Sequence, residues 1–474
     1  MKNKSKILIV LILFMLKYID NTIADEQLIK TNSSLTVEWN YLSAEKKLIG
    51  MAMSKNSDDI VVVTYQTEIA NPFGIMKLNN QGVILWETNI LKTVEDIGAI
   101  QVDFADNIVV AANHGYHHYI IKYDSSGKRI WESDFYESGY HVSVYQMELD
   151  NDNNVFLGLA VPLTGSSDYC VIIVKIGGEA GELNEYYRQS GFMFGDLLPL
   201  PDARLALASY SAESPFDEYS LIVLDESGVA VFDTAIALSQ DIYFWYEPPS
   251  LIKLGYDESA KRLYFHGPAS CNVHGLAECL PVKLVSAAID DQGTVAVLHE
   301  APISDVLFLT ATAYDKEFNI LALASKTFDT GMYRKDYELI KYDQEKESIV
   351  WQFEKPTADE QKEYEAIDLL TNADSSVLVA GARGAIDYYL SAGEQEAFID
   401  RYDSTGSDQS TTSMPMGAQT NSRINRLSPS ADDGFYLIIE YETRADDDVD
   451  DDDTGGEPSG DDDNDDDADE GCGC

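Results

Sequence analysis

An all-β, eight-bladed propeller of four-stranded blades is the fold that this 474-residue sequence predicts. Three observations predict it. A hairpin pattern carrying a tryptophan at one fixed place recurs along the chain. A second, β-branched half-unit recurs between its copies. The folded span opens with one half of the unit and finishes with the other.

The hairpin is clearest in LIKTNSSLTVEW (28–39), IMKLNNQGVILW (75–86), IIKYDSSGKRIW (120–131) and LIKYDQEKESIVW (339–351). Weaker copies lie at 173–187, 221–232, 286–298 and 399–406. Each reads as an apolar-rich strand, a turn of Asp, Asn, Ser and Gly, and a second strand. Trp39, Trp86, Trp131 and Trp351 occupy the same place in that second strand, and Phe232 takes it in another copy. Such a ring is expected between neighbouring blades, burying on the order of 200 Å².

The other half-unit is a strand, a short acidic turn and a strongly β-branched strand. It appears as DDIVVV (58–63), DNIVVAA (106–112), NNVFLGLA (153–160) and ARLALAS (203–209). It recurs as KRLYFHG, NILALAS, SSVLVAG and finally DGFYLIIEY (433–441). Turns such as 150–154 read as backbone-bonding Asp/Asn turns and not as calcium loops, because no bidentate Glu follows at the right distance. Four strands in roughly 50 residues is the size of a propeller blade.

The span 27–40 supplies only the outer two strands of a blade, and 424–441 only the inner two. Each half alone leaves a bare strand edge. The N-terminal outer strands are therefore expected to pair with the C-terminal inner strands and close the ring. Seven blades with a spare N-terminal hairpin is the alternative.

The propeller span is 25–444. Ahead of it, residues 1–24 read as a signal peptide: Lys2, Lys4 and Lys6, an apolar run from Ile7 to Leu16, and the small-residue site Thr22-Ile23-Ala24. That run is shorter than the roughly 20 residues a bilayer span needs. Behind it, 445–474 is an Asp-rich tail ending GCGC. From Asp446 to Glu470 it holds sixteen acidic residues and no basic one, so it is expected to be disordered and extended, with weak calcium binding at most. The formal net charge of −49 excludes nucleic acid as a partner and disfavours anionic headgroups.

The repeat, Lys-Tyr-Asp followed by a glycine turn and then Trp, resembles that of the PQQ-like β-propellers, including bacterial extracellular propeller proteins. The likeness spans nearly all of 27–444. It implies the fold strongly and the function weakly. Quinone-dependent members carry adjacent cysteines and a carboxylate-held calcium. No Cys-Cys pair occurs here, so the resemblance points to the non-catalytic branch. The tail resembles a truncated bacterial surface-sorting signal, an acidic linker plus Gly-Cys, without the apolar helix and basic cluster that normally follow.

Candidate site residues lie in the connections after the second and fourth strands, which share one face and include the longest segments: 112–119, 239–248, 271–279 and 382–396. Tyr243, Phe244, Trp245, Tyr246, Tyr388 and Tyr389 are placed to stack on a sugar ring or grip a peptide, or else to plug their own loops. His114, His117 and His118 are weak metal candidates. With no carboxylate assigned opposite them, a solvated turn is expected. Cys271 and Cys279 are expected to form a disulfide, as exported chains tend to do. Cys170 reads as a buried thiol, and Cys472 and Cys474 as possible anchor points for a lipid. No catalytic motif appears.

The sequence thus leads us to expect an exported monomer at the cell surface, or alternatively in the periplasm. It would be non-enzymatic, binding protein or glycan on the long-loop face, and would touch membrane only through a C-terminal lipid. No cofactor is expected. The alternative is a propeller enzyme, quinone-dependent or carbohydrate-active, with its site in the central channel.

Overall fold

The computed structural model describes residues 26–443 except 33, 36, 44–45, 67–71, 91–93, 138–142, 163–168, 212–215, 243–250, 270–281, 305–307, 327–335, 356–362, 373, 385–394, 415–419 and 430–434. Tyr243, Phe244, Trp245, Tyr246, Tyr388, Tyr389, Cys271, Cys279, Cys472 and Cys474, and the roles expected of them, therefore lie outside the described residues.

Thirty-two strands form eight separate four-stranded antiparallel sheets. Blades 1 to 7 are each continuous in sequence: Lys47–Asn89, Asp96–Tyr136, Ser143–Ser190, Phe192–Ile242, Lys253–Ser304, Phe308–Lys355 and Glu363–Met414. Blade 8 is composite. Its inner strands are β31 (Thr420–Pro429) and β32 (Phe435–Thr443), and its outer strands are β1 (Glu26–Thr31) and β2 (Val37–Ser43). The join is a six-residue antiparallel ladder from Glu26 opposite Glu440 to Thr31 opposite Phe435. The ring closes as the order of the half-units required, and eight blades, not seven, are present.

Burial follows from the pleat. Second and third strands are covered on both faces by neighbouring blades, so they read as continuous apolar runs. Ile60 to Val63 and Leu205 to Ala208 are fully buried. The fourth strand is an edge, and it alternates exposed and half-buried residues, as in Ile84–Asn89.

The tryptophans explain why the repeat needs both Trp and Gly. Trp86, on the outermost strand of blade 1, lays its ring on Gly127 in the 3–4 turn of blade 2 and donates its indole N–H to the Ser125 carbonyl at 2.9 Å. Gly127 has φ +84°, and a Cβ there would stand 2.7 Å from the ring. Trp39 on Gly82, Trp131 on Gly181 and Trp351 on Gly406 repeat the contact, with indole bonds to Asn80, Gly178 and Ser404. Tyr186 on Gly228 and Phe232 on Gly293 fill the same role. The Trp and the Gly of one copy therefore serve two different seams.

Two seams lack the lock. Between blades 7 and 8, Ser410 stands where the Trp would be and Leu35, at φ 60° and 3% exposed, stands where the Gly would be. The bulk has moved from one side of the seam to the other. Between blades 5 and 6 the turn position is Glu347, at φ 55°.

The motif lysine is buried as well. Lys122 reaches Asp103 at 2.7 Å, Lys341 reaches Asp315 at 2.6 Å and Lys77 reaches Asp59 at 3.1 Å. These aspartates lie in the 1–2 turns. Asp103 also accepts the backbone N–H groups of Ala105 and Asn107 at 2.8 Å each. Asp150 binds Asp152 and Asn154 the same way, so 150–154 is a backbone-bonding turn, as expected.

Candidate functional site

The two faces of the ring differ. The 1–2 and 3–4 turns are short, and most of those described close on their own Asp or Asn side chains, while 177–182 and 200–204 close through backbone bonds and 54–57 bonds Asp106 of the next blade. At the other face the connections range from the single residue Gly191 to segments 243–252, 269–281, 327–335 and 385–394. Strand ends therefore place the variable connections on one face. One segment was misjudged as a loop: 112–119 is the tight hairpin of β8 (Ile108–His114) and β9 (His117–Tyr123), turned by Gly115 and Tyr116 alone. Its histidines masked an otherwise apolar strand pattern.

The three histidines of that hairpin part company. His114 Nδ1 lies 3.4 Å from Glu95, and His117 Nδ1 lies 2.9 Å from Asp134. Carboxylates do stand opposite them, contrary to the expectation. His118 points to the other face of β9, where it is fully buried and its Nδ1 meets Asn113 Oδ1 at 2.8 Å. Burial pushes its pKa down to about 4. Among the described residues no group of three or more His, Cys, Asp or Glu side chains assembles that would hold a metal.

On the exposed face of the same blade-2 edge sits an aromatic group. β9 pairs with β10 (Arg129–Tyr136), setting His117 opposite Tyr136 and Tyr119 opposite Asp134. The His117 ring stacks parallel to Tyr119 with centroids 5.8 Å apart and tilts against Tyr136 at 5.1 Å. Tyr116 meets Tyr136 edge-on at 6.5 Å. Tyr116 and Tyr136 remain 45% and 56% exposed.

The central channel is the second candidate. The innermost strand of seven blades carries a β-bulge, as at Val144/Gln146 and Phe194/Asp196. Adjacent innermost strands share no ladder, and side chains bridge them instead. Gln146 donates to the Leu197 carbonyl at 3.1 Å and accepts the Leu197 N–H at 3.0 Å. Asp196 accepts the Leu254 N–H at 2.6 Å. A cavity of about 330 Å³ lies against Met51, Ile97, Gln101, Tyr145, Gln146 and Glu148. Burial raises the Glu148 carboxyl to about 7 despite the bond from Gln146, and the charge of Asp196 adds to the effect. Sequence reasoning missed Glu148 and Asp196, since a chain this acidic supplies carboxylates everywhere. The signal was their place in apolar first strands.

Glu148 has a folded pKa above that of an unfolded glutamate, about 4.3. Its charged form is disfavoured on folding, so stability falls as pH rises from about 4.3 through about 7. Glu148→Gln should match the parent in urea melts at pH 4 and exceed it at pH 8. Equal stability at both would contradict this placement.

No family model matches the chain, and no curated protein matches it. The resemblance to PQQ-like repeats thus stands on the repeat motif itself. Solved structures do superpose. One is a Lactobacillus plantarum protein, at 16% identity, TM-score 0.42, covering 71% of this chain and 98% of its own. Another is the Kuenenia stuttgartiensis hydrazine synthase, at 12%, TM-score 0.42, covering 79% and 97%. The polysaccharide lyase Uly1 aligns at 9%, TM-score 0.42, covering 82% and 89%. Likeness this distant carries no argument about activity. The propeller assignment rests on the strand pairing of this chain.

Proposed function

We propose that this chain is an exported, surface-displayed, non-enzymatic propeller that binds a protein or glycan through its long-connection face. The kinship with PQQ-like repeats belongs to the same reading. The observation that carries it is the asymmetry of the two faces. One is built from short turns that satisfy themselves, and the other from connections of very unequal length. Unequal, non-repeated connections on a repeated scaffold are where binding residues concentrate. The basic-apolar leader and the acidic tail ending in Cys472 and Cys474 support export and display.

The test pairs the full chain with a variant in which 243–250 and 385–394 are each replaced by short Gly-Ser connections. Both are immobilised and offered host-surface proteins and a glycan panel. The parent should retain a ligand that the variant loses at unchanged melting temperature. Equal capture by both would contradict the assignment of the face. Intact mass from the native host should show a cleaved leader and a modified Cys472 or Cys474. A freely soluble protein with both thiols unmodified would remove the display part.

The enzyme reading is kept for one observation. Glu148 and Asp196, on neighbouring innermost strands, are close enough for the charge of one to raise the other. Turnover of a sugar or alcohol that Glu148→Gln abolishes would favour it over binding.

A further inference from the structure

We infer that the β9–β10 edge of blade 2 is a binding site for a neutral saccharide, formed by Tyr116, His117, Tyr119, Asp134 and Tyr136. The inference rests on the binding reading above and names one site and one ligand chemistry for it.

The site breaks the repeat. Everything that recurs in this chain has a scaffold role: ring on glycine, lysine on aspartate, Asx turn. The aromatic group does not recur. Tyr119 lies three residues before the motif lysine, and the same place holds Gln27, Gly74, Ile172 and Glu338 in the other lysine-bearing hairpins. Asp134 lies three residues after the motif ring, where the counterparts are Asn89, Gln189 and Glu354. Tyr119 also packs against the core between blades 1 and 2, whereas no core cluster includes Tyr116, His117, Asp134 or Tyr136.

Tyr116 and Tyr136 are also exposed. Side chains that serve packing here are buried, as Trp131 at 9% and Phe135 at 8% are on the opposite face of the same strand. Tyr136 at 56% and Tyr116 at 45% are not. Among the described residues, the other exposed large apolar side chains are aliphatic, such as Val83 to Leu85 or Val229 at the start of outermost strands, except Phe104 in the 1–2 turn of blade 2, which is 52% exposed and has no polar tip. Here the exposed surface is aromatic, rigid and polar-tipped. Such residues supply large contact area at low conformational cost.

The chemistry suits a sugar. The His117 imidazole nitrogen lies 2.9 Å and 3.0 Å from the two Asp134 oxygens, which fixes the carboxylate beside the rings. Each carboxylate oxygen has further lone-pair sites to accept hydroxyl donors, and such charge-assisted bonds are the stronger kind. Aromatic faces next to a carboxylate match a pyranose, which has apolar C–H faces and donor hydroxyls around its rim. Charge selects among sugars. Glu95 and Glu137 flank the group, and the nearby Arg188 is taken by Glu137 at 3.0 Å and Glu185 at 2.7 Å. The folded span is itself strongly anionic. Uronate and sulfated glycans are repelled, so neutral saccharides remain.

The experiment titrates the full chain with neutral β-glucan and mannan oligosaccharides, with a uronate oligosaccharide as control, by calorimetry and saturation-transfer NMR. The parent should bind a neutral oligosaccharide and ignore the uronate. Tyr136→Ala should weaken binding at least about tenfold, whereas Tyr136→Phe, which keeps the ring, should stay within about threefold of the parent. Asp134→Asn should weaken binding without moving the melting temperature. Both sites of change are exposed, so folding is expected to survive. Binding unaffected by Tyr136→Ala, binding of the uronate alone, or capture of a peptide by β10 with no saccharide bound would each overturn the site. Capture of a ligand lost only with 243–250 and 385–394 would overturn this site and leave the binding reading intact. Absence of any ligand overturns both.

Discussion

Removal of residues 26–43 should abolish cooperative folding, although it deletes only two of thirty-two strands. The effect is large because the ring has no spare blade. Without β1, the ladder facing β32 is lost, and a buried strand becomes an open edge in the middle of blade 8. Leu28 and Ile29 leave the core clusters they share with Ile438, Tyr436 and Leu437, all of which are fully buried. Trp39 leaves Gly82, so the blade 8–1 seam loses its lock too. Burying each of those aliphatic side chains is worth roughly 1.5–3 kcal/mol, and a whole domain has only about 5–15 kcal/mol to lose. The truncated chain should show no sigmoidal urea transition and should aggregate. A melt within a few degrees of the parent would mean that blade 8 is dispensable.

The second large effect belongs to the buried pair of Lys122 and Asp103. Lys122 is 4% exposed and Asp103 is fully buried. The ammonium also donates to the Gly178 carbonyl of blade 3 at 2.9 Å, so the pair ties two blades together. Lys122→Met leaves Asp103 charged, buried and without its cation, which should cost about 3–5 kcal/mol. Adding Asp103→Asn keeps the turn's acceptor oxygen and removes the stranded charge. The double variant should therefore be more stable than Lys122→Met alone, a coupling that urea unfolding reads directly.

Acid gives the same pair a second signature. Burial by itself would raise the Asp103 carboxyl, but bonds from Lys122 and Asn107 outweigh it and hold the group below its usual range. Asp315, with Lys341 and Asn319, behaves likewise. A carboxylate whose folded pKa is depressed stabilises the fold fully above its unfolded value, about 3.9, and the contribution is lost as pH falls through the lower folded value. The parent should lose stability as pH falls below about 4, and the double variant should lose less. Parallel curves would contradict the pairing.

How much of this was legible in the sequence depends on whether a feature repeats. Trp39, Trp86, Trp131 and Trp351 recur, so their place between blades was readable, as was the closure implied by 27–40 and 424–441. The lysine role was not assigned, because a lysine in an apolar strand gives no sign of its partner until the 1–2 turn folds back over it. The exchange of Leu35 and Ser410 across one seam was invisible for the same reason: each residue is sensible only beside the other. Glu148 and Asp196 were hidden by abundance. In the 112–119 segment, His118 reads as polar yet is buried, and Tyr119 is half-buried, packed against the blade 1–2 core on one side and stacked on His117 on the other.

The most direct test of the ring is a covalent one. Cysteines placed at Glu26 and Glu440, which are register partners on β1 and β32, should form an intrachain disulfide on mild oxidation of the native monomer. Peptide mapping would find the 26–440 link in nearly all molecules, and the linked protein would unfold at higher urea. Failure of that link to form without denaturant, or its appearance only between chains, would show that the two ends of the propeller do not meet.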